Sequence, residues 1–148
     1  MRSIHAKGRD NARTPMQWDD TENAGFTQGI PWIKVNPNYR EINAESQVND
    51  PCSIYNYYKK LVGLRKEYDV FAEGSFQMLL QDDEDIFAYL RQGETENLLV
   101  ICNFYDKTLK CPLQESWGEG TLLICNYEDR SDMSVLRPYE ARIYLLQR

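Results

Sequence analysis

The spacing of the apolar residues changes near Asp69, and this change restricts the fold more than any other feature of the sequence. From about 52 to 68 the apolar side chains recur every three or four residues, which is typical of a helix with one buried face. From Phe76 onward they alternate with polar residues in short runs separated by polar turns. The sequence therefore predicts one helix followed by an antiparallel β structure.

The helix is predicted to begin near Pro51. Asp50 can cap a helix, and proline suits the first helical position because its missing N–H would have no partner there. The predicted buried face comprises Ile54, Tyr57, Tyr58, Leu61, Leu64 and Tyr68. The closely spaced tyrosines are also compatible with a platform for sugars, but packing of the helix against a sheet or a barrel wall explains them more simply.

Six strands are predicted in the second half of the chain. They run from Phe76 to Leu80, Ile86 to Leu90, Leu98 to Phe104, Leu109 to Leu113, Leu122 to Tyr127 and Tyr139 to Leu146. The third and the fifth are apolar throughout, which is typical of strands covered on both faces. Most strand aromatics fit the alternation of a buried core, and only Trp117 and Tyr105 fall in apparent turns. We expect an antiparallel sandwich or curled sheet.

Residues 8–50 are rich in Gly, Pro, Asn and Asp and contain isolated aromatics, which predicts a long ordered loop. Loops of this length are uncommon and usually functional. Within it, Arg9 and Arg13 lie four residues apart, and Trp18 follows closely. The planar guanidinium suits carboxylates or vicinal hydroxyls, and the indole offers a flat face. Two arginines near an N-terminus are, however, ordinarily just solvated.

Composition excludes several functions. A net charge of −6 without any Lys/Arg-rich run argues against nucleic acid as a partner, and no apolar run approaches the roughly 20 residues that span a membrane. At 148 residues the chain is too short for a complete eight-stranded α/β barrel, which needs about 250. No cofactor is expected.

The cysteines and the acidic cluster do not predict a metal site. The four cysteines include no C-x-x-C pair, and the chain has a single histidine, so zinc is not expected. Cys102 and Cys125 lie in apolar runs, where buried free thiols are ordinary, and we expect a reducing, cytoplasmic location. The acidic run 82–85 lacks the ligand spacing of a calcium loop and fits a solvated hairpin turn.

The segment from Gly8 to Trp18 resembles the R-D-N-x-R-T-P-[MF]-Q-W signature of the α-glucosidase branch of α-amylase-type glycoside hydrolases. That branch includes oligo-1,6-glucosidases, dextran glucosidases and trehalose-6-phosphate hydrolases. The similarity continues through Asn23 to Phe26, Pro31 to Trp32, Val35 to Tyr39, Ile42 to Asn43, Ser53 to Ile54, Tyr57 to Leu61, Leu64 to Lys66 and Leu136 to Ala141. It covers almost the whole chain, but only the C-terminal quarter or so of such an enzyme.

This resemblance implies a mainly β fold with two parts. Residues 1–69 would be the end of the catalytic TIM barrel, with 8–50 as the loop at the active-site rim and about 52–68 as the last barrel helix. Residues 70–148 would be the C-terminal antiparallel β-sandwich domain. The upstream barrel would be the partner of both parts.

The resemblance also implies the site residues. Arg13, and secondarily Arg9, would reach the glucose pocket and pair with a carboxylate from an earlier strand, so that the parent enzyme binds a terminal α-linked glucose. The catalytic carboxyls of a retaining glycosidase would lie upstream, so no catalytic residue is predicted in this chain. Asp10 is interpreted as an ion-pair partner of one of the arginines.

Two alternatives remain open. The chain could be a free-standing β-sandwich that binds carbohydrate without catalysis, or a purely structural domain. A sugar-binding module should display several exposed aromatics on one sheet face. Because the strand aromatics are predicted to be core residues, the sequence disfavours such a module.

Overall fold

Two structural units divide the chain, one formed by residues 1–57 and the other by 58–148. The structure, a computed structural model, describes residues 10–113, 120–128, 132 and 134–147. The boundary predicted between 69 and 70 concerns the longer enzyme and stays a prediction. Among the described residues no helix is both long and apolar enough to cross a membrane.

The first unit consists mainly of turns. Three short 3₁₀ turns are followed by one short helix: Asp10–Ala12, Glu22–Gly25, Pro37–Arg40, and α1 at Ala44–Asn49. Asn43 caps α1, since its side-chain oxygen accepts a hydrogen bond from the Ser46 N–H at 2.8 Å. The predicted ordered loop is thus present, with a helical turn near its end that the sequence pattern did not indicate.

A second helix, α2, spans Ile54–Glu67 and begins later than predicted. Ser53 is the residue that caps it, because its hydroxyl accepts from the Asn56 N–H at 3.2 Å. Asp50 instead accepts from the Cys52 N–H at 2.9 Å and so stabilises the turn before the helix. The predicted cap was therefore wrong, although the helix itself is present.

The predicted buried face of α2 is only partly buried, and Tyr57, Leu61 and Tyr68 are half-buried. Leu64 is buried, whereas Ile54 is 82% exposed and Tyr58 is 67% exposed. The periodicity correctly indicated a helix with an apolar stripe. It did not indicate that the described part of the chain leaves Ile54 and Tyr58 exposed.

The second unit contains a five-stranded antiparallel sheet and a two-stranded sheet. The strands are β1 at Ser75–Leu79, β2 at Ile86–Gln92, β3 at Glu96–Asn103, β4 at Leu109–Lys110, β5 at Thr121–Cys125, β6 at Val135–Leu136 and β7 at Ala141–Gln147. The large sheet has the order β1-β2-β3-β7-β5, and β4 pairs with β6. The mainly β, antiparallel fold predicted from the sequence is confirmed. Strand β6 was missed because two residues carry no detectable alternation.

The main core lies between the large sheet and the region of the small one. Alternate residues of β2, β3 and β7 meet Cys111 and Leu136 there; the buried members are Ile86, Ala88, Leu90, Leu99, Ile101, Cys111, Leu136, Tyr144 and Leu146. This arrangement gives the two-layered packing expected of a sandwich.

The opposite face of the large sheet is covered at one end only. A short helix, α3, spans Val70–Glu73, and its Val70 packs with Leu98 of β3 and Leu145 of β7. Both faces of the middle strands are therefore apolar at this end, which explains why β3 is apolar throughout.

The rest of that face displays aromatic rings. Phe76 is 55% exposed, Phe87 is 38% exposed and Phe104 is 66% exposed. The prediction that the strand aromatics belong to the core was wrong for these three. Sequence alternation identifies two faces of a strand, but it does not say which length of each face is covered. Trp117 lies outside the described residues.

A buried ion network joins β7 to the segment before it. Glu140 is fully buried, and its carboxylate accepts from Arg142 Nε and from Arg142 Nη2, both at 2.9 Å. It also accepts from Arg137 Nη2 at 2.9 Å and from the Arg137 N–H at 2.7 Å. Burial alone would raise the pKa of Glu140, but the donors of Arg142 and Arg137 outweigh it and lower this pKa to about 2.

The cysteines are free thiols with different degrees of burial. Cys111 is buried, Cys52 is exposed, and Cys102 and Cys125 are half-buried. Burial raises the pKa of both half-buried thiols. Cys102 and Cys125 are thus less enclosed than the apolar sequence around them suggested.

Candidate substrate-contacting loop

Arg13 projects from an ordered turn at the start of the first unit. Its N–H donates to the Asp10 carbonyl at 3.0 Å, and this bond closes the first 3₁₀ turn. Pro15 is buried immediately afterwards, whereas Arg13 itself is exposed. Within 10–113, 120–128, 132 and 134–147, no carboxylate forms an ion pair with Arg13, so Asp10 does not pair with Arg13, and its pairing with Arg9 stays a prediction. Arg9 lies outside the described residues.

The segment after Arg13 is held by hydrogen bonds to the far end of the loop. The Gln17 side chain donates to Asn38 Oδ1 at 3.2 Å and to the Ile42 carbonyl. The backbone carbonyls of Gln17 and Trp18 accept from the first turn of α1 at 2.9 Å each. The loop therefore closes on itself, and this closure positions the arginine-bearing turn.

A strained turn lies in the middle of the loop. Asn23, Ala24 and Gly25 all have positive φ, at 54°, 58° and 65°. A left-handed conformation costs a non-glycine residue about 1–2 kcal/mol, and Ala24 adopts it while completely buried. The Ala24 carbonyl accepts from the Trp18 N–H at 2.9 Å, which fixes this turn beside the arginine segment. Strain of this kind is commonly stored at functional sites.

Gly25 is required by the same turn. A Cβ built there would lie 2.4 Å from a carboxylate oxygen of Asp19. That carboxylate accepts from the Thr21 N–H at 2.9 Å and from the Thr21 hydroxyl. These bonds hold the pKa of Asp19 below its ordinary value and keep its charge directed into the turn.

Side-chain amides replace an apolar core in the rest of the loop. Asn43 donates to the Tyr39 carbonyl at 2.9 Å. Asn56 Nδ2 lies within hydrogen-bonding distance of the carbonyls of Gln47, Val48 and Asp50, at 2.8–3.2 Å. Because asparagine offers both donors and an acceptor, it can satisfy irregular backbone that no sheet or helix pairs. The Asn-rich composition was a visible signal of this arrangement.

The apolar side chains of the loop remain largely in solvent. Trp32 is 91% exposed, Trp18 is 53% exposed and Phe26 is 48% exposed. Together with Arg13, they give the loop the two kinds of group that bind sugars, a planar donor and flat aromatic faces. The sequence identified the arginine and Trp18, and the exposure of Trp32 appears only in the structure.

The second unit contains two acidic regions. Asp83 Oδ1 accepts from the N–H groups of Asp85 and Ile86, at 2.9 and 2.8 Å, which makes the acidic run a hairpin turn. A cleft is lined by Glu67, Asp69, Val70, Glu73, Gly74, Gln92, Gly93, Glu94, Thr95 and Glu96. Beside it, the pKa of Tyr68 is raised by burial first and then by the charges of Glu67 and Glu96. No group of three or more potential metal ligands occurs among the described residues.

Comparison with known proteins connects these features with a family. A family model described as the catalytic domain of alpha-amylase matches residues 1–74, half of the chain. The chain is 52% identical to an oligo-1,6-glucosidase of Halalkalibacterium halodurans, over 98% of its own length. It is 47% identical to a trehalose-6-phosphate hydrolase of Bacillus subtilis, over 97% of its length.

A solved structure matches over nearly the whole chain. The structure of trehalose-6-phosphate hydrolase from Bacillus licheniformis is 44% identical and superimposes with a TM-score of 0.86 over 99% of this chain. The chain spans 27% of the length of the two curated relatives and 28% of the solved one. Most of each relative therefore has no counterpart in the 148 residues.

Proposed function

This chain belongs to the alpha-amylase family of glycoside hydrolases, and we propose that it forms the C-terminal portion of a retaining α-glucosidase. The parent enzyme removes terminal α-linked glucose from short oligosaccharides, in the manner of an oligo-1,6-glucosidase. The observation that carries this proposal is the 52% identity to such an enzyme across 98% of the chain, including the arginine-bearing loop. The proposed location is the cytoplasm, where the free thiols stay reduced.

We assign to Arg13 the task of holding the terminal glucose. Its guanidinium donates to a carboxylate from an upstream barrel strand and so orients both that carboxylate and the sugar hydroxyls. Two observations support the assignment: Arg13 is exposed on a turn fixed by hydrogen bonds, and it has no ion-pair partner among the described residues. An arginine that binds a ligand needs a fixed backbone and a guanidinium that no carboxylate of its own chain already pairs.

The reaction itself is assigned to residues outside this chain. A retaining glycosidase needs a nucleophilic carboxylate and an acid/base carboxyl about 5 Å apart. We place both in the upstream barrel, so the role of this chain is to complete the rim of the pocket and to stabilise the barrel through its β domain. The 148 residues alone are expected to be inactive.

A sugar-binding β-sandwich without catalysis is the second candidate. One observation favours it, because Phe76, Phe87 and Phe104 are exposed on one sheet face. Such a module would bind oligosaccharide as an isolated chain, whereas a portion of an active site would bind only when joined to the barrel.

The proposal for Arg13 is tested in a chimaera, in which this chain replaces its aligned segment of the Halalkalibacterium halodurans enzyme. Arg13→Ala should lower kcat/KM roughly 10- to 150-fold, the value of a buried charge-assisted contact of about 1.5–3 kcal/mol. Arg13→Lys should recover little, since an ammonium does not reproduce the planar fork.

Arg65→Ala serves as the matched control, because Arg65 is an exposed arginine in the last turn of α2, far along the sequence from the loop. It should leave kcat/KM unchanged. Near-normal kinetics for Arg13→Ala would contradict the assignment, and a large loss for Arg9→Ala alone would transfer the role to Arg9.

A further inference from the structure

Four aromatic rings form a continuous patch on the large sheet, on the face that α3 covers only in part. We call Phe76, Phe87, Tyr89 and Phe104 the aromatic patch. The ring centroids of Phe76 and Tyr89 lie 5.2 Å apart, those of Tyr89 and Phe87 5.6 Å, and those of Phe87 and Phe104 6.1 Å. The rings thus cross from β1 over β2 to the end of β3.

Strand register places the patch and α3 on the same face. Leu98, which packs against α3, is paired with Arg91 of β2, and Arg91 follows Phe87 and Tyr89 at two-residue spacing. Arg91 Nη2 donates to the Ala72 carbonyl of α3 at 3.0 Å. Val100, one row further along β3 on this face, is still buried, whereas Phe76, Phe87 and Phe104 are exposed.

The chemistry of the patch favours protein over sugar. Three of the four rings are phenylalanines, which offer no hydrogen bond to a sugar hydroxyl. Adjacent rings are tilted by 35°, 60° and 51°, so they form a corrugated surface rather than a flat stacking platform. Interlocking rings of this kind are typical of cores and of the buried centre of protein interfaces.

We propose that the aromatic patch is the docking surface for the part of the parent polypeptide that lies outside this chain. This inference rests on the proposed function, which makes the chain a portion of a longer enzyme. Its length supports the choice of occupant, because the chain spans only 27% of the oligo-1,6-glucosidase to which it is similar. The patch also continues a face that α3 already buries, so that covering it would complete a second core on the sheet.

The test is hydroxyl-radical footprinting of the isolated chain and of the chimaera described above. In the isolated chain, Phe76 and Phe104 should be modified readily, because more than half of each side chain is exposed. In the chimaera their modification should fall clearly, because the core of an interface excludes solvent. Tyr139, 58% exposed but outside the patch, is the control and should be modified equally in both proteins.

Paired variants provide the second measurement. Phe104→Ser should leave the thermal midpoint of the isolated chain nearly unchanged, because the ring is already in solvent, and should lower that of the chimaera clearly. Tyr139→Ser should show no such difference between the two proteins. Equal footprinting of the phenylalanines in chain and chimaera would overturn the inference.

Other occupants of the aromatic patch would give different experimental results, and each of these results would also overturn the inference. A second copy would appear as concentration-dependent dimers of the isolated chain that Phe104→Ser abolishes. A sugar would appear as retardation of the isolated chain in gels that contain dextran. A failure of the proposed function would look different. A chimaera with protected phenylalanines but without glucosidase activity would contradict that function and would still support the inference about the docking surface.

Discussion

Glu140→Gln removes the charge of the buried ion network while keeping the size of the side chain. The carboxylate accepts four hydrogen bonds at 2.7–2.9 Å from Arg142 and Arg137, divided between its two oxygens. Glutamine keeps one acceptor oxygen and places an NH₂ group against donors of both arginines. Arg142 is only 3% exposed, so water does not compensate its charge. Breaking such a buried pair costs about 3–5 kcal/mol.

This loss should lower the thermal midpoint of the 148-residue chain by roughly 6–20 °C, at about 2–4 °C per kcal/mol for a domain of similar size. Calorimetry or circular dichroism at pH 7 measures it. Asp85→Asn is the matched control, since it breaks an exposed ion pair with Lys107 and should cost less than about 1 kcal/mol. Equal shifts for the two variants would refute the reasoning.

The pH dependence gives an independent check. Because the folded-state pKa of Glu140 is lowered to about 2 from an ordinary value of 4.5, the stability it contributes is complete above pH 4.5. That contribution is lost as the pH falls toward 2. The difference in unfolding free energy between wild type and Glu140→Gln should therefore be largest near neutral pH and shrink between pH 4.5 and 2.

Two further predictions concern local stability. In hydrogen exchange of the isolated chain, the amides of β2, β3 and β7 should be slowest, because each of these strands is paired on two sides. Those of 10–49 should exchange fast, since few apolar contacts hold them. Comparable protection in both regions would contradict this. Gly25→Ala should accelerate exchange from Trp18 to Phe26, because its Cβ would fall 2.4 Å from Asp19 at a φ of 65°. Gly29→Ala, whose Cβ would meet an ordinary 3.7 Å contact, should not, and equal effects of the two would count against the strained turn.

The spacing of the apolar residues was sufficient to predict the class of structure. It was not sufficient to predict which faces of the sheet other elements cover. Alternation in β2 correctly separated Ile86, Ala88 and Leu90 into the main core. The same alternation assigned Phe76 to a core, although its side chain is 55% exposed. Which part of a face is covered depends on where other elements pack, as α3 does against Leu98 and Leu145.

In the candidate site, too, features that depend on neighbouring residues were predicted, whereas features that depend on distant packing were not. The motif around Arg13 and the Asn-rich composition predicted an ordered binding loop, since both act through local backbone chemistry. The left-handed run from Asn23 to Gly25 was not predicted, because Ala24 in its middle carries no sequence signal for positive φ. Nor was the Glu140 network, which depends on the packing of β7 against the segment that contains Asp132 and Val135.

The most direct test of the central claim is hydrolysis of p-nitrophenyl α-glucoside by three purified proteins. They are the isolated chain, the chimaera, and the Halalkalibacterium halodurans enzyme with its aligned segment deleted. We predict that the chimaera retains kcat/KM within about tenfold of the intact relative, a loss of less than about 1.4 kcal/mol, while the other two do no better than buffer. Turnover by the isolated chain that persists through repurification, or a folded monomeric chimaera as inactive as the deletion, would contradict the claim.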